Sequence, residues 1–340
     1  VVDRIDYTND TATAAVKGSL SVSTQTLRYS GTGNQNYGYF GASDHPATSY
    51  LHRIDYSNDT SNTSLKGPLS RNAGARGANG NSNYGYWGGG HNPSSTGKSH
   101  ADRVDYSNDS ATAVTKGPLT SARYWIGGTG SSSMGYFAAG AYPGISTIDR
   151  LDFSNDTATA LARGNLSYTS YGQGAASGQE NGLPSPSIKT VDKGADGYTT
   201  TTLGPAYGYW AGGTSSSPSG VTTIDRVDFS NDTGTASPKG NLIASRYKHA
   251  AVSSINHAYM ALGSPYPQTT NIGRIDYADD TATVLNKGTM GPTYVDATGV
   301  GTKDYGYFCG GLPVSTVQRI DYANDTATAA AKGPLSAARR

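Results

Sequence analysis

The 340-residue sequence contains one glutamate, Glu180, and one cysteine, Cys309. A lone thiol excludes an intramolecular disulfide framework and a zinc site built from several thiolates. A single glutamate excludes a pair of catalytic glutamates and removes a strong helix former. No apolar run approaches the roughly 20 residues that a membrane helix needs, and no signal peptide is visible. Charge of one sign is also missing. The 26 basic and 25 acidic side chains leave a net charge of +1, so no field favours nucleic acid or membrane insertion. Nucleophile elbows and phosphate loops are absent as well. The first residue is Val1 rather than Met, which reads as a processed product or a fragment.

What the chain has instead is 45 Gly and 25 Tyr, with abundant Ser, Thr and Asn. That usage suits short strands joined by tight turns, and no sustained 3.6-residue apolar rhythm competes with it. The fold class is all-β. Eight residues, Arg53 to Thr60 (RIDYSNDT), recur in near-copies that begin at Arg4, Arg103, Arg150, Arg226, Arg274 and Arg319. The successive spacings are 49, 50, 47, 76, 48 and 45 residues, which identifies a repeat architecture. A second landmark, [KR]-G-x-[LM], starts at Lys17, Lys66, Lys116, Arg163, Lys239, Lys287 and Lys332. The third is an aromatic-glycine segment such as Tyr84-Gly85-Tyr86-Trp87, usually closed by small residues. Alternation in Thr223–Phe229 marks a strand, Ser230–Thr233 a turn, and the following TATA-like run a partner strand. Four short antiparallel strands per unit predict a propeller blade.

The order YGYFxGG, then DRIDY-SNDT, then KGPLSxAR resembles a kelch repeat over nearly the whole chain. The resemblance implies a kelch-like β-propeller. It departs at the last strand, where TATA replaces the usual tryptophan, and at Ala138-Ala139 and Ala261-Leu262, where Gly-Gly fails. The copper chemistry known on such scaffolds is therefore not implied, and no cofactor is expected. The wording RIDYSNDT…KGPLS also resembles repeat proteins of marine bacteriophages that are described as tail-fibre-like.

Seven RIDY–KGPL halves stand against six aromatic-glycine halves. The sequence thus predicts a single propeller over residues 1–340, seven-bladed in complete form, with six full repeats and one half-repeat present. The missing strand pair is expected from sequence outside the chain or from a neighbour by β-augmentation; a six-bladed or unclosed arrangement is the alternative. About 25 extra residues, roughly Gln179 to Leu203, form an insertion in the blade spanning about 167–240. It is expected between the first two strands, on the rim that carries the SNDT turns.

Arg53 and Asp55, Arg103 and Asp105, and Arg226 and Asp228 lie two residues apart on one strand face. They are expected to form structural ion pairs between blades, which orient more than they stabilise. The D-Y-x-N-D spacing reads as a turn in preference to a calcium loop. N-x-[ST] sequons at Asn9, Asn58, Asn108, Asn155, Asn231 and Asn324 would form a ring of glycans in a host that glycosylates asparagine. The six histidines read as solvated loop residues, with His45 and His91 in equivalent loops. Repeat-phase Tyr7, Tyr56, Tyr106, Tyr277 and Tyr322 read as core between blades. Out-of-phase Tyr142, Tyr198 and Tyr266 are the candidate contact residues for carbohydrate.

Near-identical copies favour a structural or adhesive module of an extracellular or virion appendage that binds surface glycans and associates with itself or other fibre subunits. A glycan-acting enzyme or oxidase on the same scaffold is one competitor. An intracellular protein-interaction propeller is the other.

Overall fold

Each repeat folds into strands because its glycines sit where a neighbouring blade leaves no room for a side chain. In the Lys-Gly landmark, a Cβ on Gly117 would lie 1.5 Å from the carbonyl oxygen of Ala158 in the next blade. The same steric demand holds at Gly18, Gly67, Gly164, Gly240, Gly288 and Gly333. The alternating Tyr-Gly-Tyr strands present rings to one neighbour and bare backbone to the other.

A computed structural model describes residues 2–6, 9, 11–21, 29–43, 47–141, 144–177, 188–190, 200–202, 207–214, 220–254, 256–264, 270–292, 294–302, 304–311 and 314–338. It is an all-β propeller of six four-stranded antiparallel blades: 30–65, 77–116, 127–162, 174–238, 250–289 and 298–332, called blades 1 to 6. Strand order in every blade follows the chain, with the first strand innermost. The first strands neighbour one another in blade order around the axis. Between the first two strands of blade 4, Ile188–Thr190 pairs with Thr200–Thr202 as a separate hairpin. Strand direction puts that hairpin and the Ser-Asn-Asp turns on one face. The loops that enter each blade, and those between second and third strands, lie on the opposite face.

A remaining two-stranded sheet, Asp3–Arg4 with Ala15–Val16, takes the outer half of a seventh place. Its contacts repeat those between complete blades. Ala14 N donates to Pro334 O at 2.8 Å, as Ala113 N does to Pro68 O at 2.8 Å. Ser336 N donates to Asp3 Oδ2, as Ser70 N does to Asp102 Oδ2. On its other side Arg4 Nη1 donates to Asp59 Oδ2 at 2.7 Å.

The acidic partner in the ion-pair expectation needs correction. Arg53 does not pair with Asp55. It donates to Asp109 Oδ2 of the next blade at 2.7 Å, and Lys66 lies 3.1 Å from Asp109 Oδ1. Tyr39 Oη completes the cluster by donating to Asp109 Oδ2 at 2.7 Å. Equivalent clusters centre on Asp156 with Arg103 and on Asp280 with Arg226, and likewise on Asp232 and Asp325. The strand-end aspartates serve the turn instead. Asp55 Oδ1 accepts from Ser57 N and Oγ, and Asp105 and Asp228 do the same with Ser107 and Ser230. A long guanidinium reaches a neighbouring blade; a short carboxylate at a strand end bonds its own turn.

Rings stack across the same joints: Tyr39 on Tyr106 at 4.7 Å, Tyr136 on Phe229 at 4.5 Å and Tyr209 on Tyr277 at 5.1 Å between centroids. Tyr106 and Tyr277 are buried and Tyr322 is half-buried, while Tyr7 lies outside the described residues. Tyr56 departs from the expectation: it is 52% exposed.

Candidate functional site

Before each innermost strand the chain turns inward toward the axis, and one residue there is left-handed in five blades. These are Ala75 (φ 54°), Trp125 (φ 55°), Gly172 (φ 66°), Lys248 (φ 53°) and Asp296 (φ 58°). Non-glycine residues rarely hold this conformation, and four of the five do so here. The geometry is fixed by a relay of backbone hydrogen bonds from blade to blade. Trp125 N donates to Ala75 O (2.8 Å), Gly172 N to Trp125 O (3.3 Å), Lys248 N to Gly172 O (3.1 Å) and Asp296 N to Lys248 O (3.3 Å).

The side chains on this relay break the repeat. The tripeptides are Gly74-Ala75-Arg76, Tyr124-Trp125-Ile126, Tyr171-Gly172-Gln173, Tyr247-Lys248-His249 and Val295-Asp296-Ala297. Backbone position is equivalent, yet the chemistry runs from small to aromatic to cationic to anionic. The last four of the five line a cavity of about 520 Å³ whose walls include Trp125, Tyr171, Gln173, Lys248, His249 and Asp296, with Tyr29, Cys309 and Leu335 completing it. That volume lies in the roughly 300–1,000 Å³ range of small-molecule sites. An aromatic run leads away from the cavity wall: Tyr171 and Trp125 rings are 5.3 Å apart, Trp125 and Tyr124 5.2 Å, and Tyr124 and His91 4.9 Å.

His249 is the unusual member. It is buried, and neither ring nitrogen has a hydrogen-bond partner among the described residues. Only glycine at 212 and 263 leaves room for the ring, because a Cβ there would lie 2.7 Å from Cε1 and 2.8 Å from Cβ of His249. Burial, reinforced by the Arg246 charge, lowers its pKa to about 3, so it is a neutral imidazole on the cavity wall. Arg246 itself donates to the carbonyls of Met260, Leu262 and Asn271, and burial lowers its pKa to about 10.

The reading of histidines as solvated loop residues is overturned. His52, His91, His100 and His249 are buried, and His257 lies on a strand. Burial lowers His100 to about 4. His45, Tyr142, Tyr198 and Tyr266 lie outside the described residues. The sequon asparagines Asn9, Asn58, Asn108, Asn155, Asn231 and Asn324 are all exposed at turn tips. Each accepts from the hydroxyl two residues on, as in Thr60 Oγ1 to Asn58 Oδ1 at 3.1 Å. Asp279 accepts from Thr281 in the same way, so this bond belongs to the turn and does not single out asparagine.

The tripeptides were missed because they contain no motif and differ in every copy. Their signal lies in alignment: with the inner strands in register, the middle column holds Ala75, Trp125, Gly172, Lys248 and Asp296, whereas the first column is Tyr in three of five copies.

No protein-family model and no curated protein sequence matches the chain. Among solved structures it is similar to that of YjhT, with 9% identity and a TM-score of 0.66, over 94% of this chain and 100% of that one. At that identity the likeness is one of fold.

Proposed function

We propose that the chain is a structural or adhesive repeat module of an extracellular or virion appendage, and that it holds surface glycans at the mouth of its central channel. The observation that carries this reading is the set of four equivalent left-handed positions on the cavity wall, bearing Trp, Gly, Lys and Asp. A scaffold whose copies are otherwise uniform concentrates its chemical differences around one cavity. Trp125 and Tyr171 offer faces for the C–H side of a sugar ring, and Gln173, Lys248 and Asp296 offer donors and acceptors for its hydroxyls. The resemblance of the RIDYSNDT…KGPLS wording to tail-fibre-like repeats supports the appendage setting.

The test is a glycan panel probed with the purified chain and with Trp125→Ala. Binding that Trp125→Ala weakens at least fivefold, and that the outer-strand control Leu161→Ala leaves alone, supports the reading. Binding indifferent to Trp125, or no glycan bound, overturns it. An enzymatic reading draws on one feature, the neutral, unpartnered His249 on the cavity wall. It predicts turnover of the bound glycan, followed by NMR, that His249→Gln abolishes.

A further inference from the structure

Among the described residues the outer ring of the propeller is continuous and its inner ring is not. Every Lys-Gly glycine meets the following blade, including Gly333 against Ala12 and Gly18 against Ser61 on either side of the two-stranded sheet. The relay of inner backbone bonds, by contrast, runs from Ala75 to Asp296. Between blade 6 and blade 1 the described residues leave a cleft, backed from outside by the strands Asp3–Arg4 and Ala15–Val16.

Both walls of the cleft show what they are shaped to meet. On blade 6, Val300 is 40% exposed, whereas its counterpart Val252 is 4% exposed because blade 6 covers it. On blade 1, Phe40 is only half-buried, while the matching Trp87, Phe137, Trp210, Met260 and Phe308 are fully buried. Tyr56 carries no stacked ring among the described residues, although Tyr106, Phe153, Phe229, Tyr277 and Tyr322 each stack on a tyrosine of the preceding blade. Asp59 accepts from Arg4 and Lys17, but no described tyrosine reaches it, unlike the five clusters in which a tyrosine hydroxyl supplies a third donor. Arg4 is 51% exposed at its side chain, against 17% to 23% for the five arginines in complete joints. At the back of the cleft, Asp3–Arg4 with Ala15–Val16 holds the place that the third and fourth strands hold in a complete blade.

We infer that this cleft is a docking surface for a two-stranded hairpin with the chemistry of the chain's own inner half-repeat, carried by a polypeptide outside residues 1–340. The register of the complete joints specifies the occupant. Its outer strand reads Tyr-Gly-Tyr-aromatic and pairs with Asp3–Arg4. Its second tyrosine stacks on Tyr56 and donates to Asp59, the following aromatic ring faces blade 6, and its inner strand is glycine-rich to pass close to Val300. A second copy of these residues is not the source, because all six of its inner half-repeats are already built into blades.

The test adds a synthetic peptide of residues 76–91, RGANGNSNYGYWGGGH, to the 340-residue chain and follows binding by calorimetry and thermal melting. The expected result is saturable one-to-one binding with a raised Tm. Affinity should fall at least fivefold when the peptide carries Tyr86→Phe or the protein carries Tyr56→Ala, an exposed position whose loss leaves the fold intact. No saturable binding, equal binding of a scrambled peptide, or indifference to both substitutions overturns the inference. So does light scattering that shows a dimer of the chain that the peptide fails to dissociate.

Discussion

Residues held against their own preferences give the sharpest predictions. Ala139 adopts φ 59° where blades 2, 4 and 6 use glycine at Gly89, Gly212 and Gly310. A left-handed alanine costs roughly 1–2 kcal/mol, offset in part by the larger unfolded-state entropy of glycine. Ala139→Gly should therefore raise stability by about 0.5–1 kcal/mol in urea denaturation. His249 gives a pH dependence. Its folded pKa is depressed to about 3, so the unfolded chain takes up its proton below about pH 6.5 while the folded chain does not. Stability from this residue is complete above pH 6.5 and is lost as pH falls toward 3. His100, lowered to about 4, acts with the same sign. Between pH 7 and 5 the Tm of the native chain should fall more steeply than that of His249→Gln, measured by calorimetry in matched buffers.

At the scale of the element, the joint between blades is the unit to test. Asp156 accepts from Tyr86, Arg103 and Lys116, all largely shielded from water, so removing the carboxylate leaves two cations and a hydroxyl without their acceptor. Asp156→Ala should cost roughly 3–5 kcal/mol, the range for breaking one side of a buried ion pair. Asp59→Ala should cost clearly less in the same urea titrations, because Arg4 is half in water and can be resolvated. The strands of these joints were readable in sequence because alternation and period survive in every copy. Their partners were not. Arg53 and Asp109 are 56 residues apart, and a carboxylate two positions away looked nearer. The tripeptides of the channel mouth were hidden for the opposite reason, since what makes them a site is that no two are alike. Tyr56 was misjudged because burial depends on a neighbour, which a residue's own repeat phase does not reveal.

For the whole molecule, the two faces should respond independently. The hairpin Ile188–Thr190/Thr200–Thr202 emerges on the face opposite the cavity. Replacing residues 179–203 by a short turn should shift Tm by only a few degrees, since loop entropy varies slowly with length. Glycan binding at the channel mouth should survive the same change. If binding is lost while the melting transition stays put, the proposed position of the glycan site is wrong.

The contact between Asp3 and Ser336 joins groups 333 residues apart, whereas each successive blade docks on a neighbour that was synthesised just before it. Assembly by local addition therefore proceeds along almost the entire chain, and one seam is left to close across its full length. Loop closure of that span brings the largest entropic cost of any contact in the ring. Opening is thus expected to begin at residues 2–21, with amide exchange there fastest and proteolytic cutting earliest. The seam makes the propeller a clasp whose release point is set by topology.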